Sequence, residues 1–492
     1  MKIRVLIPAL LPALLGAQAI PPRPEALAFA PVQFRTPSAR EHQARLKNGI
    51  PVFLAPNGKD GAPLVRITVN WKGGGYLEPA GKEGLATLFG SQLVLGGTAS
   101  LDPAALQDRL EALAATLTSS CAPTAGSISL TVQEKDLQAG LDLLVQCLTA
   151  PAFAQDRLEL ARRQARQGLS RRNDMVGSIA GYLQPALLSG PDHFSAKQPT
   201  AASLDAVTRE DLLAFHRRLL HPANLVVAAS GAFDRKAMLE RLDRALGALK
   251  PAPGAQASPV PPAPAFQRKP GLYLAAKDAP QAMLTWTLPG LRRTDPDWHK
   301  AYVMNQLLGG PGFTSRLMKK IRSDEGLTYG VYSNMGPGPH YRGDITGSMQ
   351  TKNRSVAYAL RLALAEMARL KEAPPSAAEL QVIKDGLLES FPAQWGSKQA
   401  IAGRFAEEAL VGWNGDWWQD FREKVQAVTP ADVQAMARKY LELDKLVILA
   451  VGRKAEMEAG DPDHPGALKD AAGLPVTELP LRDPLTLKAL DK

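Results

Sequence analysis

The chain has 492 residues, of which 45% are hydrophobic and 22% are charged; this composition is typical of soluble globular proteins and excludes a largely disordered chain. At about 150 residues per domain, the length predicts two to four domains. The formal net charge of +10 suits an anionic partner such as nucleic acid or a membrane surface. No nucleic-acid-binding motif accompanies the charge, which favours a solvated basic surface.

The first 19 residues have the pattern of a secretory signal peptide. Lys2 and Arg4 precede an apolar stretch, residues 5–15, that is too short to span a bilayer as a helix. Ala17-Gln18-Ala19 then fits the small-x-small pattern of a cleavage site. We therefore expect an exported protein, periplasmic in a Gram-negative bacterium. An uncleaved N-terminal anchor is the alternative.

The elements predicted in the first half of the chain mix strands with pairs of helices. Asn48-Gly49 between two apolar runs predicts a hairpin over residues 45–55. Further strands are expected over 64–71, 115–121 and 127–132, and helices over 84–95, 103–114, 137–148 and 155–188. Because regular βαβ alternation is missing, this order predicts an α+β fold.

The chain contains two similar segments on either side of a proline-rich stretch. Residues 206–231 match residues 427–452 without a gap, with 11 identities over 26 positions. Thr208 and Thr429 each precede an Asp by three residues, which predicts an N-terminal helix cap in both copies. Each helix leads to an apolar run that reads as a buried strand. A repeat this long indicates duplicated domains, joined by a Pro/Ala-rich linker at residues 251–265.

The two cysteines, Cys121 and Cys147, lie 26 residues apart in apolar surroundings. In an exported protein they are able to pair. Two buried thiols are an equally good interpretation, and both remain open. With no His between them, they do not form a zinc site.

Several short motifs occur in an order that resembles the pitrilysin/insulinase family of zinc metallopeptidases. They are Leu46-Lys47-Asn48-Gly49-Ile50-Pro51-Val52, Gly73-Gly74-Gly75-Tyr76-Leu77-Glu78, Gly84-Leu85-Ala86 and Leu95-Gly96-Gly97-Thr98. The resemblance covers roughly residues 40–455 and implies two duplicated α/β-sandwich domains that form half of a clamshell. In that family, these motifs surround an inverted zinc motif, H-x-x-E-H, whose histidines bind zinc and whose glutamate activates water.

The positions of this zinc motif are Thr87, Gly90 and Ser91, and none of them is a usual zinc ligand or a carboxylate base. The family's third ligand, a glutamate on a later helix, falls within residues 166–172, which contain no acid. We therefore expect no metal or other cofactor in this chain. A relocated site at His216 and His221 is disfavoured, because their spacing places them on different faces of a helix. The basic helix around 157–172 is either a wall that holds acidic substrate or a solvated face.

The second half keeps another motif of the same family. Leu307-Leu308-Gly309-Gly310 ends a helix, Phe313-Thr314-Ser315-Arg316-Leu317 restarts one, and Ile321-Arg322-Ser323-Asp324-Glu325-Gly326-Leu327-Thr328-Tyr329 resembles R-x-x-x-G-L-x-Y. The resemblance implies that Arg322 and Tyr329 face a zinc site across a closed chamber and stabilise the tetrahedral intermediate. It also implies substrate contacts for Gly309, Gly310 and Ser315. The simpler interpretation is a surface arginine, a strand tyrosine and an ordinary helix-to-helix turn.

Together with the signal-like N-terminus, the resemblance implies a zinc-less, periplasmic subunit that pairs with a homologous H-x-x-E-H chain, which would hold the zinc, to cleave unstructured peptides. The predicted boundaries are a signal peptide at 1–19, domains at 40–250 and 266–455, and a C-terminal tail at 456–492. One alternative is a scaffold or peptide-binding protein of the same fold whose catalysis has been lost. Another is a self-sufficient peptidase with metal ligands that the motifs do not reveal.

Overall fold

The computed structural model describes residues 34–57, 61–247, 249, 256–413, 415–471 and 473–490. These residues form two six-stranded sheets that are covered by helices. The predicted α+β fold with two duplicated sandwich domains is therefore confirmed. The expected signal peptide and residues 251–255 of the expected linker lie outside the described residues. The domain boundaries stay predictions.

The first sheet has the spatial order β1-β2-β6-β3-β5-β4. Its strands are β1 (Gln43–Arg45), β2 (Pro51–Pro56), β3 (Leu64–Lys72), β4 (Thr116–Cys121), β5 (Ala125–Gln133) and β6 (Leu225–Gly231). Neighbours are antiparallel except β2 and β6. One face of the sheet is apolar, as β3 shows: Val65, Ile67, Val69 and Trp71 are fully buried, and the residues between them are partly exposed.

The first half of the chain forms nine labelled helices among the described residues, and some of them cover this apolar face. They are α1 (Ala39–His42), α2 (Leu85–Leu95), α3 (Pro103–Ala112), α4 (Leu137–Thr149), α5 (Gln155–Ser170), α6 (Val176–Ser189), α7 (Ala201–Asp205), α8 (Arg209–Leu219) and α9 (Arg235–Leu246). Helices α2 and α4 pack directly on β4 and β5. The single helix predicted over 155–188 is wrong, because the chain turns after Ser170 and starts a separate helix at Val176.

The second sheet repeats the first, with the order β12-β7-β11-β8-β10-β9. Its strands are β7 (Gly271–Ala276), β8 (Gln281–Pro289), β9 (Val331–Met335), β10 (Asp344–Lys352), β11 (Val447–Gly452) and β12 (Val476–Leu479). The accompanying helices are α10 (Trp298–Gly309), α11 (Val356–Glu372), α12 (Ala377–Ser390), α13 (Lys398–Val411), α14 (Phe421–Ala427), α15 (Pro430–Tyr440), α16 (Lys454–Ala459) and α17 (Leu468–Ala471). The outermost strands come from different places in the chain. In the first sheet, β1 precedes its neighbour β2, whereas in the second sheet β12 follows all the other strands and comes from the segment predicted as a tail.

Each sheet is also covered by a helix from the other half of the chain. Helix α6 packs on β8 and β11 of the second sheet, where Ile179 and Leu183 join a core with Leu449 and Val451. Helix α13 packs on β2, β3 and β6 of the first sheet. The break between α5 and α6 lets the chain leave its own half and reach the other one. The two halves therefore complete one another.

A buried ion pair helps to hold α13 in this position. Glu408 of α13 lies 2.8 Å from the guanidinium of Arg293, and both side chains are almost completely buried. The Arg293 guanidinium carbon is 4.4, 4.0 and 4.6 Å from the ring centroids of Trp413, Trp417 and Trp418. The three surrounding indole rings and the carboxylate compensate the desolvated cation, so the contact fixes where α13 lies relative to Arg293.

The predicted helix caps are present in both copies of the repeat. Thr208 and Asp211 form a capping box at the start of α8, and Thr429 and Asp432 form the same box at α15. Each Asp also accepts a bond from a lysine, Lys82 in the first half and Lys300 in the second. Burial opposes ionisation of both carboxyls, but the bonds from lysine and threonine outweigh it and lower their pKa values.

We expect Asp211→Ala and Asp432→Ala each to lower the free energy of unfolding by about 1 kcal/mol at pH 7, since each removes the N3 carboxylate of a capping box and its bond from lysine. Because the folded-state pKa is lowered, this stabilisation is present above the unfolded pKa of about 4 and is lost as the pH falls through the folded value. Denaturant unfolding at several pH values measures it. Glu210→Ala is the control, since Glu210 is exposed in the same first turn. Equal effects of Glu210→Ala and Asp211→Ala would refute the cap's role.

Candidate functional site

Helix α2 carries the positions of the zinc motif, and Glu78 fixes where the helix begins. The Glu78 carboxylate accepts backbone N–H groups from Ala86 at 2.7 Å and Gly84 at 3.2 Å. Gly84 takes a positive φ of 103°, which allows the chain to enter the helix abruptly. Burial raises the pKa of Glu78 against the effect of these bonds. The carboxylate that lies nearest to the helix start is therefore a cap.

The three motif positions offer no metal-binding side chains. Thr87 is exposed, and the Ser91 hydroxyl donates to the carbonyl of Leu88 at 3.0 Å. Gly90 is buried against β4, where an added Cβ would lie 2.1 Å from the backbone nitrogen of Cys121. Helix α2 thus approaches β4 too closely for any side chain at position 90.

Both cysteines are free, buried thiols, and burial raises the pKa of each to about 12.

The segment expected to hold the third ligand is occupied by structural arginines. Arg166 of α5 pairs with Asp205 at 2.8 Å. Arg172 donates to the carbonyls of Pro199 at 2.7 Å and Pro484 at 3.1 Å, which ties the end of α5 to the C-terminal segment. These contacts use the cations to join elements of the fold. Arg163 and Arg171 are exposed. For these two arginines both predicted roles stay open: part of a solvated helix face, or part of a wall that holds acidic substrate.

The residues of this chain do not fit the zinc ion that the family implies. Within the described ranges, no three His, Cys, Asp or Glu side chains are grouped closely enough to hold a metal ion. The relocated site is not formed either. The His216 Nε2 atom lies 2.7 Å from the carbonyl oxygen of Leu148, and burial lowers the pKa of His216. Thr87, Gly90 and Ser91 have no nitrogen, thiolate or carboxylate ligand to offer.

Arg322 and Tyr329 are brought together at the surface of the second half. Arg322 lies in a π-helical segment, Met318–Asp324, a rare conformation that occurs frequently at functional sites. Its guanidinium carbon is 5.5 Å from the ring centroid of Tyr329 and 4.3 Å from that of Phe313. Tyr329 is 90% exposed and Phe313 62% exposed. We call Phe313, Arg322 and Tyr329 the arginine–aromatic cluster.

The backbone around this cluster is anchored although its side chains are exposed. The Thr328 hydroxyl donates to the carbonyl of Gln350 at 2.7 Å, and Thr351 donates to the carbonyl of Leu327 at 2.7 Å. Both bonds fasten the segment that carries Tyr329 to β10. The backbone that carries Tyr329 is therefore anchored to the sheet, while the tyrosine ring projects from it.

The two arginines of this motif differ in their partners. Arg316 makes two bonds to the carboxylate of Glu379, at 2.7 and 2.9 Å. Among the described residues, ion pairs are formed by the neighbouring Arg316 and Lys320, and none involves Arg322. Because a guanidinium carries five N–H donors and no acceptor, the donors of Arg322 are available to a carbonyl or carboxylate from outside.

The other predicted substrate contacts lie mostly beneath the surface. Ser315 is 1% exposed, and Gly309 and Gly310 are buried at the end of α10. An added Cβ on Gly309 would lie 2.8 Å from the backbone nitrogen of Ser333, so close packing already requires glycine there. The exposed part of this segment is the following loop, residues 311–314. Contacts of Gly309, Gly310 and Ser315 with a substrate stay predictions.

Sequence reasoning missed Phe313 as a functional candidate. It follows Gly312, whose φ of 101° favours glycine, and precedes the helical segment that carries Arg322. A large apolar residue after a glycine turn is a weak signal, since most such residues turn inward. Only its exposure and its distance from Arg322 reveal it.

Three comparisons with known proteins agree with this description. The family model for the inactive domain of M16 peptidases matches residues 206–387. The chain is 26% identical over 421 residues to the non-peptidase homolog YmxG of Helicobacter pylori, a match that covers 85% of this chain and 95% of that protein. Over 207 residues it is 31% identical to an uncharacterized zinc protease, ML0855, of Mycobacterium leprae, covering 41% of this chain and 45% of that protein.

Solved structures share the fold. The peptidase M16 inactive domain from Pseudomonas fluorescens superimposes with a TM-score of 0.75 at 25% identity, covering 84% of this chain and 98% of that chain. The periplasmic protease PqqL of Escherichia coli gives a TM-score of 0.70 at 15% identity, over 88% of this chain and 49% of that chain. The resemblance read from the motifs is confirmed. Over the described residues, no helix has the length and apolar character needed to cross a membrane.

We expect Gly90→Ala to lower the free energy of unfolding by roughly 1–3 kcal/mol, because the added methyl group meets the backbone of β4. The matched control is Gly168→Ala in α5, where an added Cβ meets nothing within 4 Å. That variant should be stabilised by roughly 0.5–1 kcal/mol, since alanine is the better helix former. Denaturant unfolding compares the two. If Gly90→Ala were as stable as Gly168→Ala, the tight packing of α2 on β4 would be disproved.

Proposed function

Because the chain belongs to the pitrilysin/insulinase (M16) family as a member without the zinc-binding motif, we propose that it is the non-zinc-binding subunit of a periplasmic two-chain peptidase. Its partner is a homologous chain with an intact H-x-x-E-H motif. The substrate is an unstructured peptide. This chain contributes Arg322 and Tyr329 to the partner's site.

The observation that carries the proposal is the arginine–aromatic cluster. Tyr329 is 90% exposed and Arg322 is partly exposed, and both present hydrogen-bond donors at one place on the surface. A guanidinium and a phenol O–H suit a peptide carbonyl whose oxygen gains negative charge as the bond is attacked. Zinc in the partner would polarise that carbonyl and activate water. Arg322 and Tyr329 would bind and orient the peptide and stabilise the developing oxyanion.

The loss of ligands in the first half supports the same division of labour. Position 90 accommodates no side chain, and residues 166–172 hold cations where the family has an acid. A chain that has lost one set of groups and kept the other suits a site shared between two chains. The periplasmic location is supported by the signal-like first 19 residues and by the likeness in fold to a periplasmic protease.

We expect Arg322→Ala and Tyr329→Phe to leave the complex intact and to lower its turnover by roughly 100- to 1,000-fold, the usual cost of removing one oxyanion donor. Arg322→Lys should rescue poorly, because an ammonium group does not reproduce the planar guanidinium. The zinc-bearing homologue is co-expressed with each variant, and the complex is verified by size-exclusion chromatography. Turnover and KM are then measured separately on an unstructured peptide.

Two variants serve as matched controls for this experiment. Tyr332→Phe removes a phenol hydroxyl from a tyrosine that is 44% exposed on β9. Arg422→Ala removes an exposed cation from α14, in a different part of the second half. Both should retain full turnover. If Arg322→Ala and Tyr329→Phe also retain it within an intact complex, the chain is a scaffold or a peptide-binding protein.

A further inference from the structure

We infer that Phe313 is a positioning residue, whose ring holds the Arg322 guanidinium in the orientation that the proposed site needs. This inference rests on the proposed function for its consequence, but the contact itself is a property of this chain alone. The Arg322 guanidinium carbon lies 4.3 Å from the Phe313 ring centroid, well within the reach of about 6 Å for a cation–π contact.

The exposure of Phe313 needs an explanation. A phenylalanine that is 62% exposed gains little from burial, and the neighbouring loop residues 311–314 are exposed as well. The loop is nevertheless shaped, since Gly312 holds a φ of 101° that few other residues adopt. The contact that the ring makes with Arg322 accounts for an aromatic residue at this exposed place.

Stacking on a ring fixes a guanidinium without using its donors. The Arg322 guanidinium carbon lies over the Phe313 ring, and a phenyl ring has no lone pair or charge that would pair with the five N–H donors as a carboxylate does. An ion pair would occupy those donors, as the carboxylate of Glu379 occupies two donors of Arg316. Phe313 therefore immobilises Arg322 and leaves its N–H edge open to a peptide carbonyl.

Tyr329 cannot perform this task equally well. Its ring centroid is farther from the Arg322 guanidinium carbon, at 5.5 Å, and its side chain is 90% exposed. A long arginine side chain held only by so exposed a ring would sample several rotamers. The shorter contact to Phe313 is the one that restricts them.

The first arm of the test measures positioning in the isolated chain, without any partner. In protein labelled with 15N-arginine, the Arg322 Hε resonance is assigned by its loss in Arg322→Lys. We expect a ring-current shift of this resonance in the wild type and in Phe313→Tyr. The shift should disappear in Phe313→Leu, which is apolar but has no ring. An unchanged Arg322 resonance in Phe313→Leu would overturn the inference, whatever the outcome of the activity measurements.

The second arm measures the consequence in the reconstituted pair. Phe313→Leu should lower turnover by about 3- to 30-fold, the range expected for one cation–π contact, with a smaller change in KM. Phe313→Tyr should restore it. In an Arg322→Ala background, Phe313→Leu should have no further effect, because Phe313 acts through Arg322.

The controls separate this inference from the proposed function. If Arg322→Ala itself leaves turnover unchanged, the proposed function fails, while the resonance still decides whether Phe313 holds Arg322. If Arg322→Ala lowers turnover and Phe313→Leu does not, the proposed function stands and the positioning role is refuted. Thermal unfolding of each variant verifies that the exposed substitutions leave the fold intact.

Discussion

The rest of the structure depends on the exchange of one helix between the two halves. Helices of each half cover one face of their own sheet, and α6 and α13 each cross to pack on the sheet of the opposite half, where α13 lies beside Arg66, Thr68 and Asn70 of β3. The Arg293–Glu408 pair and its surrounding tryptophans fix α13 after it has crossed. Because neither sheet is complete without the other half, the orientation of the second half relative to the first follows from covalent connectivity and packing. The arginine–aromatic cluster thereby has a defined place in the whole molecule.

The two sheets share a packing feature that each half builds with its own residues. Each sheet retains a buried tryptophan opposite a glycine, Trp71 with Gly126 and Trp286 with Gly347, since an added Cβ on either glycine would meet the indole within 2.3 Å. At Gly90, α2 lies so close to β4 that no side chain fits at that position of the zinc motif. A glutamate placed at position 90 would therefore require α2 to move away from β4.

Local patterns in the sequence predicted the elements well, because each depended on residues close in the chain. Asn48-Gly49 predicted the hairpin of β1 and β2, where Gly49 has a φ of 90°, and the Thr–Asp spacing predicted both capping boxes. The ungapped repeat predicted the duplication of the fold. Helix spacing predicted α2 within a residue of its observed start.

Features that depend on distant contacts were beyond such patterns. Helical spacing continues from 155 to 188, so nothing local showed that α6 would leave its own half for the second sheet. The burial of Ser315 and the exposure of Phe313 are likewise set by how the loop after α10 lies on its neighbours. For the candidate site, the motif identified Arg322 and Tyr329, whereas the third member of the cluster required three-dimensional proximity.

The last strand has a consequence for the solubility of the chain. Strand β12 pairs in parallel with β7, whose residues are mostly buried, and so covers what would otherwise be an edge of the second sheet. An unpaired apolar edge is a template for strands of other molecules. A chain cut before Val476 would expose that edge and would tend to aggregate through it, even though every residue of the arginine–aromatic cluster would still be present.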